Sequence, residues 1–194
     1  MYKYYFDDLK GNVESVSNRT FEFIFIMGKN IIFFVILLLV TACSKRHKIT
    51  FHQNFDQFSG WTDMSGIVKG KGYSGDYFTR TGEGRDYSRT FSMKLGDISE
   101  KSIRRIDMGA WIRISEPGAS AKLVLSIESG DSTVYWQGLE SVGISPKPGE
   151  WSRLYFTYDI PAGFEPDFMV KVFLWNQSRK EVDADDFDIH FYTR

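Results

Sequence analysis

Histidine, cysteine and serine offer this chain little chemistry. Its three histidines, His47, His52 and His190, stand at no metal-ligand spacing such as HExxH. No Gly-x-Ser-x-Gly elbow occurs. A single cysteine, Cys43, excludes an intrachain disulfide and a cysteine-based metal site. What the chain has in quantity is aromatic and long polar side chains. Trp111 and Arg113, Arg153 and Tyr155, and Lys171, Phe173 and Trp175 alternate with apolar neighbours and so point away from them. On one sheet face, such rings stack on the apolar side of a pyranose, while the Arg and Lys groups, Asn176 and Gln137 hydrogen-bond its hydroxyls. Tyr135 and Trp136 adjoin the same region, and alternation admits only one of them to the face. This is the chemistry of non-covalent sugar capture. The competing reading is that these rings only pack, in the core or beneath a loop.

The elements that must position these groups are strands. Met108, Ala110, Ile112 and Ile114 alternate with Asp107, Gly109, Trp111 and Arg113. Ala121, Leu123, Leu125 and Ile127 form a second apolar row, Leu154, Phe156 and Tyr158 a third, Phe168 to Leu174 a fourth, and Phe187, Ile189 and Phe191 a fifth. Period two with one apolar side predicts half-buried antiparallel strands. Turn signals separate them, among them Glu116-Pro117-Gly118, Ser129-Gly130-Asp131 and Pro146-Lys147-Pro148-Gly149. No helical period of useful length appears from Thr50 onward. The expected fold is all-β, a two-sheet antiparallel sandwich or jelly roll over residues 50–194. With 24 basic and 25 acidic residues, the chain has no charge excess pointing to nucleic acid.

The N-terminal stretch reads differently. Lys29 precedes the apolar run Ile31–Val40, which is half the roughly 20 residues that a spanning helix needs. Val40-Thr41-Ala42-Cys43 follows, and it resembles the lipobox cut by the bacterial lipoprotein signal peptidase. The resemblance implies a signal peptide over 27–42, a lipid on the Cys43 thiol, and a tether over 43–49. Residues 1–26 carry Asp7, Asp8, Glu14 and Glu22, which suit no signal n-region, and are expected to be an upstream extension from a misassigned start. Lys45-Arg46-His47-Lys48 reads as a solvated tether, or as a basic run near anionic headgroups. At Ser44 the aspartate of inner-membrane retention is missing, which by analogy implies the outer membrane, and the basic run after Cys43, unlike an acidic surface-export tag, points to the periplasmic side.

Several pieces of 50–194 together resemble carbohydrate-binding modules of the galactose-binding-like jelly-roll type. Asn54-Phe55-Asp56 through Gly60-Trp61 is similar to their opening strand, with Asp56 where Glu is usual. Gly72-Tyr73-Ser74-Gly75-Asp76-Tyr77 resembles the next turn, Gly109 to Arg113 a central strand, and Gly149-Glu150-Trp151 the turn before a middle strand. Val172 to Asn176 and Asp185-Asp186-Phe187 resemble the closing pair. The resemblance implies a structural calcium on Asp56, Asp185 and Asp186, around the Gly72–Asp76 turn; calcium takes about six to eight oxygen ligands. It also implies a non-catalytic carbohydrate-binding protein; the lipobox adds the cell envelope, and strand alternation supplies Trp111, Arg113, Trp136, Arg153, Tyr155, Lys171, Phe173, Trp175 and Asn176 as candidate ligand contacts. A structural or protein–protein interaction module without sugar affinity is the alternative, and one flat apolar patch would mark it. Glu181 to Asp186 also resembles the acidic strand of laminarinase-like glycosidases, with Glu181, Asp183 and Asp185 on one strand face. Its position at the chain end and its final Asp depart from that pattern.

Overall fold

Residues 47–57, 66–141 and 147–193 are described in a computed structural model. Cys43, the signal-peptide stretch, residues 1–26 and Gly60-Trp61 lie outside the described residues.

Alternation becomes two sheets. The strands are β1 (Lys48–Gln53), β2 (Ile67–Lys69), β3 (Tyr77–Thr81), β4 (Phe91–Lys94), β5 (Ile103–Ile114), β6 (Lys122–Ser129), β7 (Ser132–Glu140), β8 (Trp151–Asp159), β9 (Met169–Trp175) and β10 (Val182–Thr193). One four-residue helix, α1 (Leu95–Ile98), follows β4. A six-stranded sheet runs β2-β3-β10-β5-β8, with β1 also paired to β10; a four-stranded sheet runs β4-β9-β6-β7. Every pairing between these strands is antiparallel. The expected all-β, two-sheet antiparallel sandwich is the fold observed.

The core lies between the sheets. Ile106, Met108 and Leu154 face it from the larger sheet, and Leu123, Leu125 and Val172 from the smaller; each is fully buried. Strand β10 spans the larger sheet and needs one irregularity to do so. Its register with β5 shifts between Asp185 and Asp188, and Asp186 sits at φ 45°. This bulge inserts an extra residue and reverses the parity of the strand. Val182 and Ala184 before it, and Phe187, Ile189 and Phe191 after it, therefore all face the core. Outside the core, Asp183 and Asp185 are left on the opposite side.

Candidate functional site

The sandwich separates the expected ligand contacts onto two faces that look in opposite directions. Trp111 and Arg113 lie on β5, and Arg153 and Tyr155 on β8, outside the six-stranded sheet. Trp136 lies on β7, and Lys171, Phe173 and Trp175 on β9, outside the four-stranded sheet. A single face holding all eight is thus corrected. Period two tells a residue which side of its strand it occupies, but not which sheet the strand joins.

On the six-stranded sheet the polar groups are spent on one another. Trp111 is covered by Tyr73, whose ring stacks on it at 3.8 Å and 10°. The Arg113 guanidinium lies 4.5 Å over the Trp151 ring and donates to Asp183 at 2.9 Å. Arg153 donates to Asp188 at 3.0 Å. Tyr155 remains 46% exposed, and its hydroxyl donates to Asp107 at 3.2 Å. Burial raises the Asp107 carboxyl, but hydrogen bonds from Arg105, Thr157 and Tyr192 outweigh it and hold the group below the ordinary aspartate value. The surface is a closed network built over the sheet.

The four-stranded sheet presents rings to solvent. Its outward rows place Lys122 opposite Trp175, Val124 opposite Phe173, and Ser126 between Lys171 and Trp136. Trp136 is 42% exposed and Tyr87 is 52% exposed. The Tyr87 ring lies parallel to Trp175 at 6.3 Å and edge-on to Phe173 at 5.7 Å; Trp136 meets Trp175 edge-on at 6.3 Å. Gly138 makes room for the Trp136 indole, because a Cβ there would stand 2.8 Å from Cη2. Polar groups alternate with the rings. The Lys122 ammonium sits 5.4 Å over Trp175 and pairs with Glu140 at 2.8 Å, and Lys171 pairs with Glu128 at 2.6 Å. Tyr87, Thr90, Ser92, Glu128, Lys171 and Phe173 line an open cleft of about 360 Å³ on this face. Of the adjoining pair, Trp136 joins the face; Tyr135 and Gln137 stand opposite the inward Ile127 and Leu125.

Tyr87 was not expected, since it precedes β4 and reaches Trp175 only through an isolated bridge. Asn176 is corrected: it is fully buried and structural. Its Nδ2 donates to Thr81 Oγ1 and to the Lys180 carbonyl, and its Oδ1 accepts from the Ser178 amide and hydroxyl. It holds the 176–181 loop and has no hydrogen-bonding capacity to give a sugar.

The three acids expected at a calcium site do gather around the Gly72–Asp76 turn. Phe55, at φ 60° and packed edge-on against Phe187, turns the chain so that Asp56 reaches it. Asp56 Oδ1 accepts from the Asp76 amide at 2.9 Å, while Oδ2 is buried without a hydrogen-bond partner among the described residues. Asp185 Oδ2 accepts from the Tyr73 and Ser74 amides, and Asp186 Oδ1 from the Ser74 hydroxyl. Burial is the main cause that pushes the Asp185 carboxyl up to about 7, against the downward pull of its amide donors. Among the described residues, no three His, Cys, Asp or Glu side chains converge as a metal-holding group. The orphaned Asp56 oxygen and the nearby Ser74 and Tyr77 carbonyls, which crowd the Gly72 Cβ position, are hard oxygen donors of the kind calcium takes.

The acidic run Glu181 to Asp185 is committed to the fold. Arg80 bonds Glu181 and Asp183, Arg113 bonds Asp183, and Asp185 is buried on the turn amides.

No protein-family profile matches this sequence, and none of the curated proteins is similar to it. Solved structures share its fold. The CBM22-2 xylan-binding domain from Paenibacillus barcinonensis Xyn10C superimposes with a TM-score of 0.51 at 13% identity, over 72% of this chain and 97% of that domain. The CBM22-1–CBM22-2 tandem of the same protein gives a TM-score of 0.52 at 16% identity, over 78% of this chain and 48% of the tandem. The chain therefore has the β-sandwich fold of carbohydrate-binding modules.

Proposed function

We propose that the protein is a non-catalytic carbohydrate-binding protein whose ligand lies on the outer face of the four-stranded sheet. The observation that carries this reading is the alternation there of exposed rings with charged and hydroxyl groups. Tyr87, Trp136, Trp175 and Phe173 offer apolar planes; Lys122, Lys171, Glu128 and Ser92 stand among them. Rings bury the apolar face of a sugar with little loss of rotamer entropy, and the polar groups replace water at its hydroxyls. An interaction module would be favoured by one unbroken apolar patch, whereas polar groups at Lys122, Ser126 and Lys171 flank the Val124–Phe173 row on this face. Because the face is open, its ligand is a polymer lying across it. Xylan is the first polymer to try, since the similar Paenibacillus domains are described as xylan-binding.

Two further features belong to the reading. A lipid on Cys43 anchors the protein to the outer membrane, on its periplasmic side. A calcium ion would be held at the Gly72–Asp76 turn by Asp56, Asp185 and Asp186 with turn carbonyls, and its role there would be structural, tying β10 and the turn to the segment that follows β1.

The test is polysaccharide affinity electrophoresis and a glycan array with the purified protein, with and without EDTA. Binding that Trp136→Ala and Trp175→Ala weaken is expected. A folded protein that retains no glycan across a broad panel would move the assignment to an envelope interaction module.

A further inference from the structure

An open cleft of about 660 Å³ is walled by the β2–β3 edge, the Gly82–Arg85 turn, the end of β5 and the Arg179–Glu181 loop. Four cations line it, and two of them are already matched. Arg80 is held by Asp183 at 2.6 Å and Glu181 at 3.3 Å. The Lys180 ammonium donates to the Pro117 carbonyl at 2.9 Å and meets Glu116 at 3.4 Å. Arg85 and Arg179 have no acidic partner among the described residues, and the only other acid on the cleft wall is the exposed Glu83. Arg85 is half-buried, with its guanidinium laid against Gly66; a Cβ at Gly66 would stand 2.9 Å from Arg85 Cζ. A partly desolvated guanidinium attracts an anion more strongly than one in open water. Its planar fork matches carboxylate and sulfate oxygens in pairs.

The cleft and the aromatic face share two segments. Arg85 stands two residues before Tyr87, about 7 Å along an extended chain. Arg179 stands in the loop that follows Trp175. The segments are tied by the Tyr87–Trp175 bridge and by the Asn176 amide, which donates to the Asp86 carbonyl at 2.7 Å. The buried Asn176 side chain then fixes the path to Arg179 through Ser178 and Lys180. A polymer that lies over Tyr87 and Trp175 has within reach a cleft with two guanidinium groups that no acid among the described residues matches.

We propose that this cleft takes the acidic substituent, a carboxylate or a sulfate, of a decorated polysaccharide whose backbone lies on the four-stranded face. The anion chemistry follows from the cleft alone; its attachment to a sugar polymer rests on the carbohydrate-binding reading.

The test compares a neutral oligosaccharide with its uronate-bearing and sulfate-bearing counterparts on the same backbone, by calorimetry with the purified protein. The acidic forms are expected to bind about tenfold tighter, as one good charge-assisted contact gives, and that advantage should shrink with added salt. Which counterpart gains more identifies the anion. Arg85→Ala and Arg179→Gly should erase the advantage and leave the neutral affinity in place. Arg179 sits at φ 60°, where Gly is more comfortable, so the second variant removes the charge without harming the backbone. Equal binding of neutral and acidic forms by the unaltered protein would overturn the proposal, as would arginine variants that lower both alike. A second measurement separates the two readings. Free glucuronate and inorganic sulfate should shift the amide resonances of Gly82 and Lys180, and the arginine variants should abolish the shifts. No shift refutes the cleft. Shifts without binding of any oligosaccharide refute the aromatic-face reading, and with it the decorated polymer, leaving only an anion cleft.

Discussion

Trp111 and Trp136 are both outward tryptophans on long strands, and the two sheets give them opposite expected phenotypes. Trp111 is roofed by Tyr73 at 3.8 Å. Truncating a fully buried Trp costs about 3–5 kcal/mol. Trp111 is half-buried, which reduces the packing loss to about 2 kcal/mol, and the lost stack adds about 1 kcal/mol. Trp111→Ala should thus cost about 3 kcal/mol, or roughly 6–12 °C in Tm for a domain of this size. Glycan affinity should be unchanged wherever the variant is folded. Trp136 is 42% exposed, and its removal should cost only about 1 kcal/mol of stability. Its loss from the ligand face should cost about 2 kcal/mol of binding, close to thirtyfold. Urea denaturation followed by tryptophan fluorescence reads the first quantity, and calorimetry with the best-binding polysaccharide reads the second. Loss of affinity in a stable Trp111→Ala protein, with Trp136→Ala binding normally, would refute the assignment of the ligand to the four-stranded face.

Gly138→Ala should push the Trp136 indole off its seat, since the new Cβ would stand 2.8 Å from Cη2; binding should fall several-fold with little change in the urea midpoint. Gly75→Ala and Gly130→Ala form a matched pair, at φ 65° and 57°. Both pay the left-handed strain of about 1–2 kcal/mol, but only at Gly75 does the new methyl strike the Asp56 carboxylate, so only that variant should also lose its response to calcium in thermal melts. The Asp185 carboxyl, with a folded pKa of about 7 against an ordinary 3.8, gives stability that is complete below the lower value and lost as pH rises through the higher one. In EDTA the carboxyl carbon of Asp185 should titrate near the higher value by NMR, and calcium should drive that midpoint down; an ordinary aspartate midpoint in EDTA would contradict the buried site.

Side-chain alternation was enough to place Ile112, Leu125, Leu154 and Val172 in the core, because burying one side of a strand requires period two whatever its neighbours are. It also put Trp111 and Trp175 on outward positions, where both stand, and left open which of Tyr135 and Trp136 joins them; the structure turns Trp136 outward. It could not carry Asn176 correctly. A polar residue directly after Trp175 looks available to a ligand, yet its amide is consumed by Thr81, Ser178 and Lys180. Three of those four bonds are local, within a few residues, so an Asn-x-Ser turn was the available signal. Tyr87 left no such signal, since nothing near it in the chain announces its bridge to Trp175.

By itself the sequence determined what is periodic or local: the strands, their apolar sides and the turns between them; the gathering of Asp56 and the Asp185-Asp186 pair at one glycine turn was legible only through a family resemblance. Tertiary structure decided what depends on pairing across long separations. β8 pairs with β5 and β9 with β6, which sends Tyr155 and Trp175 to opposite sides of the molecule. The bulge at Asp186 keeps both halves of β10 turned to the core. Tyr73 closes over Trp111 while Tyr87 leaves Trp136 open to solvent. Backbone hydrogen bonds between strands are alike for every sequence, so partner choice is set by how all the apolar faces close over one core, a property of the whole chain and of no segment within it.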